Sequence, residues 1–155
     1  PRFLRGVCSP VDLIAGGSRG IDMFDSVLPT RVARNGALFT EKGRINIRKA
    51  EHRLNRGPVA EGCGCYTCRT FSAAYLHHLF RTEELLAYRL ATIHNLWFMT
   101  RLMEDIRVSL KNDAFPEFKE RFLSRYRTVD ENVRLEQKKR YRSLSRSSLI
   151  DGVSD

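Results

Sequence analysis

No stretch of this sequence approaches the roughly 18 consecutive apolar residues that a membrane-crossing helix needs. Its opening residues also lack the basic-then-apolar pattern of a secretory signal. A cytoplasmic location is therefore the default expectation. Cysteine is scarce, with four in 155 residues, and three of the four fall within six positions. Without a secretory signal such a cluster points to a metal or redox site rather than a disulfide framework, while Cys8, alone among apolar neighbours, reads as a packing residue. Acidic residues are in deficit, 18 Asp plus Glu against 27 Lys plus Arg, and the net charge of +9 suits a polyanionic partner such as RNA, DNA or an acidic membrane surface. Part of that excess sits late in the chain, at Lys138, Lys139, Arg140, Arg142 and Arg146 among Ser143, Ser145, Ser147 and Ser148, where a solvated, flexible tail over 128–155 is expected. An initiator methionine is also missing: Pro1 leads straight into a strand-like run, Arg2 to Val7, which suggests a piece of a longer polypeptide.

What is present is organised around residues 20–36. A short apolar run follows Gly20 and stops at Asp25, which reads as a buried strand delivering a carboxylate to a loop. Pro29 and Asn35-Gly36 then argue against further regular structure, and the loop offers Arg31 and Arg34. Taken alone, Asp25 is equally well a turn or capping aspartate. Upstream, Ser9 and Pro10 start a helix that runs to about Arg19, weakened by Gly16-Gly17. Strand, helix and strand make one βα unit with parallel strands, which an open sheet and a barrel accommodate equally. A hairpin follows, Ala37 to Thr40 against Arg44 to Arg48, and then a polar loop over 49–62.

From Ser72 onward the periodicity is helical. Thr82-Glu83-Glu84 reads as a fresh cap, and Leu96, Met99, Met103, Ile106 and Leu110 mark the core-facing stripe of a long helix. Phe115, Phe118, Phe122 and Tyr126 mark a last amphipathic helix. Between loop and helices, Cys63-Gly64-Cys65-Tyr66-Thr67-Cys68 sets three thiolates on a glycine-rich knuckle. Three sulfurs need a fourth ligand to close a tetrahedral structural site, and His52, His77, His78 and His94 are all candidates by residue type. His77 and His78 read as helix-surface or interface residues and His52 as a loop residue.

The run GIDMFD, then LPTR, two residues and RNG, with Cys63, Cys65, Cys68 and His94 downstream, resembles the carboxy-terminal part of the bacterial-type tRNA-guanine transglycosylases, also called queuine tRNA-ribosyltransferases. The likeness covers roughly residues 1 to 126. It implies an α/β fold, the last part of a (β/α)8 barrel over 1–48, followed over 49–127 by an inserted zinc-binding subdomain and closing helices. It selects His94 as the fourth ligand, giving a structural zinc held by Cys63, Cys65, Cys68 and His94.

The resemblance also implies a reaction: guanine at the wobble position of tRNA is exchanged for a queuine-type 7-deazaguanine base, with Asp25 as nucleophile and a covalent aspartyl-ribosyl intermediate. Gly6, Val7, Cys8, Ser9, Pro10, Val11 and Asp12, with Thr30, Arg31, Val32, Ala33 and Arg34, would contact the tRNA anticodon loop. A homodimer would form through the zinc region, with Phe71, Tyr75 and His78 as anchors. The second carboxylate, as general acid and base, would come from upstream sequence, since Asp22 should face the opposite side of its strand from Asp25. Two positions depart from the family pattern: Arg5 stands where methionine is usual beside the bound base, and Ser26 where cysteine is usual. A non-catalytic tRNA-binding partner subunit of the same fold and a stand-alone zinc-stabilised interaction module are the alternative readings.

Overall fold

The computed structural model describes residues 1–6 and 9–128; Val7, Cys8 and the basic, serine-rich positions of the tail lie outside the described residues. Phe3–Arg5 (β1) and Met23–Asp25 (β2) pair in parallel, joined by the crossover helix Pro10–Gly17 (α1). The expected βα unit is present with shorter elements. A capping box starts α1: Ser9 Oγ accepts from the Asp12 amide at 3.2 Å, and the Asp12 carboxylate accepts from the Ser9 amide at 2.8 Å. Gly16 is a packing device as well as a weak helix former, because a Cβ there would come within 2.6 Å of the Phe24 ring. Glycine lets α1 lie directly on β2.

The segment after Asp25 departs from the expected loop. Leu28–Arg34 is a helix (α2) with Pro29 in its first turn. First-turn amides have no intrahelical acceptor, so proline there forfeits nothing and starts the helix rather than breaking it. Ser26 Oγ accepts from the Leu28 amide at 3.1 Å and Thr30 Oγ1 donates to the Val27 carbonyl at 3.1 Å, local bonds that set the turn. Gly36, at φ 78°, ends the helix and leads into the hairpin of Ala37–Thr40 (β3) and Gly43–Asn46 (β4), antiparallel across Glu41-Lys42. The loop over 49–62 contains one 3-10 turn, Ala50–His52.

Four helices follow: Tyr66–Thr70 (α3), Ala73–Arg81 (α4), Leu85–Lys111 (α5) and Phe115–Arg125 (α6). Ser72 caps α4 by accepting from the Tyr75 amide at 3.1 Å. Thr82 does not begin the next helix but closes this one, its hydroxyl donating to the His78 carbonyl at 3.1 Å; Glu83 turns the chain at φ 57°, and α5 begins at Leu85. His77 is buried rather than on the surface. Its Nδ1 donates to the Ile47 carbonyl at 2.7 Å, which fastens α4 to the end of the hairpin.

The long helix α5 spans two cores. Its first half contributes Ala87, Leu90 and Ala91 to a cluster with Leu38, Ile47, Leu76 and Phe80. Its second half contributes Met99, Leu102 and Ile106 to a cluster with Leu13, Ile14, Phe39 and Phe115. The expected stripe is out of phase at its ends, because Leu96 and Leu110 are exposed. The true inner face runs through two alanines and two polar residues, His94 and Asn95, both fully buried at the seam between the cores. Counting large apolar residues misses such a face. Among the described residues the strands form two two-stranded sheets, and no helix is long and apolar enough to cross a membrane.

Candidate active site and metal centre

Asp25 is the last residue of β2, and its side chain is 60% exposed. The Gly6 amide donates to the Asp25 carbonyl at 2.8 Å, so the ladder fixes the backbone while the carboxylate stands in solvent. Directly opposite in register is Arg5, whose Nε lies 3.7 Å from Asp25 Oδ2. Exposed pairs of this kind contribute at most about 1 kcal/mol, so Arg5 does not lock the carboxylate away. Asp22, by contrast, is committed: its Oδ2 accepts from the Arg2 amide at 2.7 Å.

Helix α2 sorts the residues that follow. Arg31 and Arg34, three apart, share its exposed face, and Thr30 spends its hydroxyl on Val27. Val32 and Ala33 face inward and are buried in the two cores. The helical period makes this separation, which a loop would not impose. In the earlier segment Gly6 is exposed at φ 80°, Ser9 and Asp12 are engaged in capping, Pro10 is buried and Val11 is half-buried. Val7 and Cys8 lie outside the described residues.

The metal centre forms where the knuckle meets the seam of α5. His94 Nδ1 lies 3.8 Å from Cys63 Sγ, 3.5 Å from Cys65 Sγ and 3.4 Å from Cys68 Sγ, and all four ligand atoms fall within 4.8 Å of one another. A tetrahedral ion with metal–sulfur bonds near 2.3 Å and a metal–nitrogen bond near 2.05 Å requires nitrogen–sulfur edges of about 3.6 Å. The residues therefore fit such an ion without rearrangement. The imidazole is set for ligation from behind, since Nε2 donates to the Phe39 carbonyl at 2.7 Å and so leaves the Nδ1 lone pair facing the sulfurs.

The same contacts set how protons are shared within the cluster. Burial works against a charged His94, but hydrogen bonds with Cys63 and Cys65 override it and raise its pKa to about 9. The Cys65 thiol is held far below its ordinary range by hydrogen bonds with Cys63 and Cys68. Cys68 is driven the opposite way, above its ordinary range, by hydrogen bonds with the same Cys63 and Cys65 and by burial, so the four groups share protons that a cation bound by all of them would displace. The Cys68 amide donates to Cys65 Sγ at 3.3 Å, and the buried Thr67 hydroxyl donates to the Leu90 carbonyl at 2.7 Å, binding the knuckle to α5.

Beside His94, Asn95 ties the metal centre to the strand-end site. Its Oδ1 accepts from the Phe39 amide at 3.0 Å, and its Nδ2 donates to the Pro29 and Ala37 carbonyls, each at 3.0 Å. Adjacent residues of one helix thus line the candidate metal site on one side and hold the start of α2 on the other. Sequence reasoning overlooks Asn95 and Thr67. An amide next to a ligand histidine, inside an otherwise apolar helix, was the available signal for the first.

The family model described as TGT, queuine tRNA-ribosyltransferase, matches residues 1–128. A queuine tRNA-ribosyltransferase of Dehalococcoides mccartyi is 59% identical over 143 residues, covering 92% of this chain and 36% of the relative. One of Dictyoglomus turgidum is 51% identical over 144 residues, covering 93% of this chain and 37% of the relative, and one of Herpetosiphon aurantiacus is 53% identical over 134 residues, covering 86% and 34%. The chain thus spans a little over a third of the length of the curated relatives it matches. With a match over 128 of its 155 residues and a cysteine–histidine cluster built as described, the chain belongs to the queuine tRNA-ribosyltransferase family.

Proposed function

We propose that this chain carries the nucleophile, part of the anticodon-loop grip and the structural zinc of a tRNA-guanine transglycosylase. The observation that carries the reading is the exposed carboxylate of Asp25 at the carboxy-terminal end of a parallel strand, with the exposed arginines Arg31 and Arg34 on the helix that begins three residues later. Parallel β/α barrels place their chemistry at that end of the strands, and the exposed Phe3 and Met23 on β1 and β2 suit a sheet that continues into such a barrel.

The chemistry follows from the carboxylate. Asp25 Oδ attacks C1′ of the wobble ribose; the bond from C1′ to guanine breaks, its electron pair leaving with the base, and an ester to the ribose forms through an oxocarbenium-like transition state that the anion stabilises. The incoming 7-deazaguanine base then attacks C1′ through its ring nitrogen and releases the carboxylate. Two inversions retain the configuration of the sugar. Proton transfer to the departing base and from the incoming one falls to a second carboxyl group in the rest of the polypeptide. Arg31 and Arg34 offer paired donors to phosphates or base edges of a single-stranded loop.

Zinc is the ion this donor set suits best, with three thiolates and one imidazole leaving no position for water, so its role is to pin the knuckle to α5. Phe71 stacks on the exposed Tyr75 at 5.2 Å, and with the exposed His78 and Leu86 they form a surface suited to a homodimer contact. A cytoplasmic setting accords with a tRNA substrate. The ion pair with Arg5 gives some support to a second reading, a non-catalytic tRNA-binding subunit in which Asp25 is only structural. Labelled guanine separates the two: the full-length protein incorporates it into tRNA and Asp25→Asn does not, whereas binding of tRNA without incorporation by either would establish the non-catalytic role.

A further inference from the structure

We infer that Asn95 is a positioning residue for the exchange reaction: it fixes the helix that carries Arg31 and Arg34 at a set place relative to Asp25. The inference rests on the reading of the two arginines as the anticodon-loop grip and of Asp25 as the nucleophile. Asn95 is fully buried on α5, and its three hydrogen bonds reach none of those side chains. It acts on the site through the backbone it holds. Two of the bonds go to the edge of β3. The Gly36 carbonyl accepts from the Ile47 amide at 2.8 Å on the β4 side, so the next residue, Ala37, and Phe39 beyond it turn their polar groups the other way, toward α5. There the Asn95 carboxamide donates to the Ala37 carbonyl and accepts from the Phe39 amide, as a neighbouring strand would.

The third bond, from Nδ2 to the Pro29 carbonyl, is the only hydrogen bond among the described residues that joins Leu28–Arg34 to another element. Otherwise α2 is seated by apolar side chains, Leu28, Val32 and Ala33 among them, and apolar packing has no preferred direction. One carboxamide therefore fastens the helix in its first turn, at Pro29, and just past its end, at Ala37. Arg31 and Arg34 lie between these two points, and only Ser26 and Val27 separate Asp25 from the helix. Side chains reach about 5–6 Å from a helix axis, so a roll of about 20° moves their ends by about 2 Å. A misplacement of about 1 Å lowers a rate on the order of a hundredfold when it takes reacting groups out of line. Directional bonds at both ends of α2 prevent that roll.

The test measures labelled-guanine exchange by the full-length enzyme and compares Asn95→Leu, Arg34→Ala and the two combined. Asn95→Leu is expected to lower kcat/KM for tRNA about ten- to a hundredfold. The value for guanine, which enters once the ribose is bonded to Asp25, is expected to change little. In the double variant the losses do not add: Arg34→Ala has little further effect once α2 is no longer held. Asn95→Asp keeps the shape and the acceptor for the Phe39 amide but gives up both donors, and is expected to show the same pattern. Metal content and thermal unfolding report that each variant is folded. Additive losses, or an unchanged kcat/KM for tRNA in Asn95→Leu, overturn the inference and leave the transglycosylase reading intact. Loss of the metal from both Asn95 variants also overturns it, by making Asn95 a residue the whole fold needs. Exchange unaffected by Arg31→Ala and by Arg34→Ala overturns the reading of the grip itself, and the inference falls with it.

Discussion

Replacing Asn95 with leucine isolates the link between the metal centre and α2, because leucine has the same branched outline, removes every polar atom and opens no cavity. The side chain makes three hydrogen bonds of 3.0 Å, to the Phe39 amide and to the Pro29 and Ala37 carbonyls. The bonds to Phe39 and Pro29 are buried, while that to Ala37 is partly exposed and can turn to water. An unsatisfied buried group costs about 1–3 kcal/mol, so the two together predict a loss of about 2–6 kcal/mol, a large share of the roughly 5–15 kcal/mol that holds a domain together. The substitution touches no metal ligand, so metal content should be retained. Hydrogen exchange in the full-length protein is the assay. Amides of α2 and of β3, Phe39 above all, should exchange faster in proportion to that loss, while those in the middle of α4 change little. Exchange of α2 and β3 at the wild-type rate would refute the claim that Asn95 carries the link.

Two further predictions follow from the site. His94→Ala removes the one nitrogen ligand and its bond to Phe39, so the purified full-length protein should lose stoichiometric metal and become sensitive to proteolysis in the region of residues 60–70; a chelator strong enough to strip the wild type should reproduce both effects. Retention of one metal per chain in that variant would mean that the ion is held elsewhere. Arg31→Ala and Arg34→Ala should each weaken tRNA binding by about ten- to a hundredfold, as expected for loss of about 1.5–3 kcal/mol of charged hydrogen bonding, and should flatten its salt dependence, whereas substitution of Arg107, an exposed arginine of α5 paired with Glu104, should not.

How much of this was legible in the sequence depended on whether the signal was local. The helix start at Ser9, the hairpin after Asn35-Gly36 and the aromatic series from Phe115 to Tyr126 are encoded within a few residues, and the structure contains them, although Gly43 belongs to the second strand rather than to the turn and that strand ends at Asn46. The cysteine knuckle was equally plain, but its fourth ligand was not: four histidines were available, and the choice of His94 is made by a tertiary contact with Phe39 that periodicity does not reveal. The helix at 28–34 was hidden by reading Pro29 as a breaker, when its position in the first turn made it compatible. The phase of α5 was hidden because its inner face includes alanines, a ligand and an amide rather than a continuous run of large apolar residues. His77 reads from sequence as a helix-surface or interface residue, because nothing near it in sequence shows that the Ile47 carbonyl awaits a donor.

The central claim is that the Asp25 carboxylate bonds covalently to the ribose. Incubating the full-length enzyme with an anticodon stem-loop, quenching with acid, digesting the protein and mapping the modified peptide by mass spectrometry tests it directly. The account predicts a ribosyl ester on the peptide that contains Asp25, seen in wild type and missing in Asp25→Asn. An adduct on a different peptide, or one formed equally by both proteins, would contradict it.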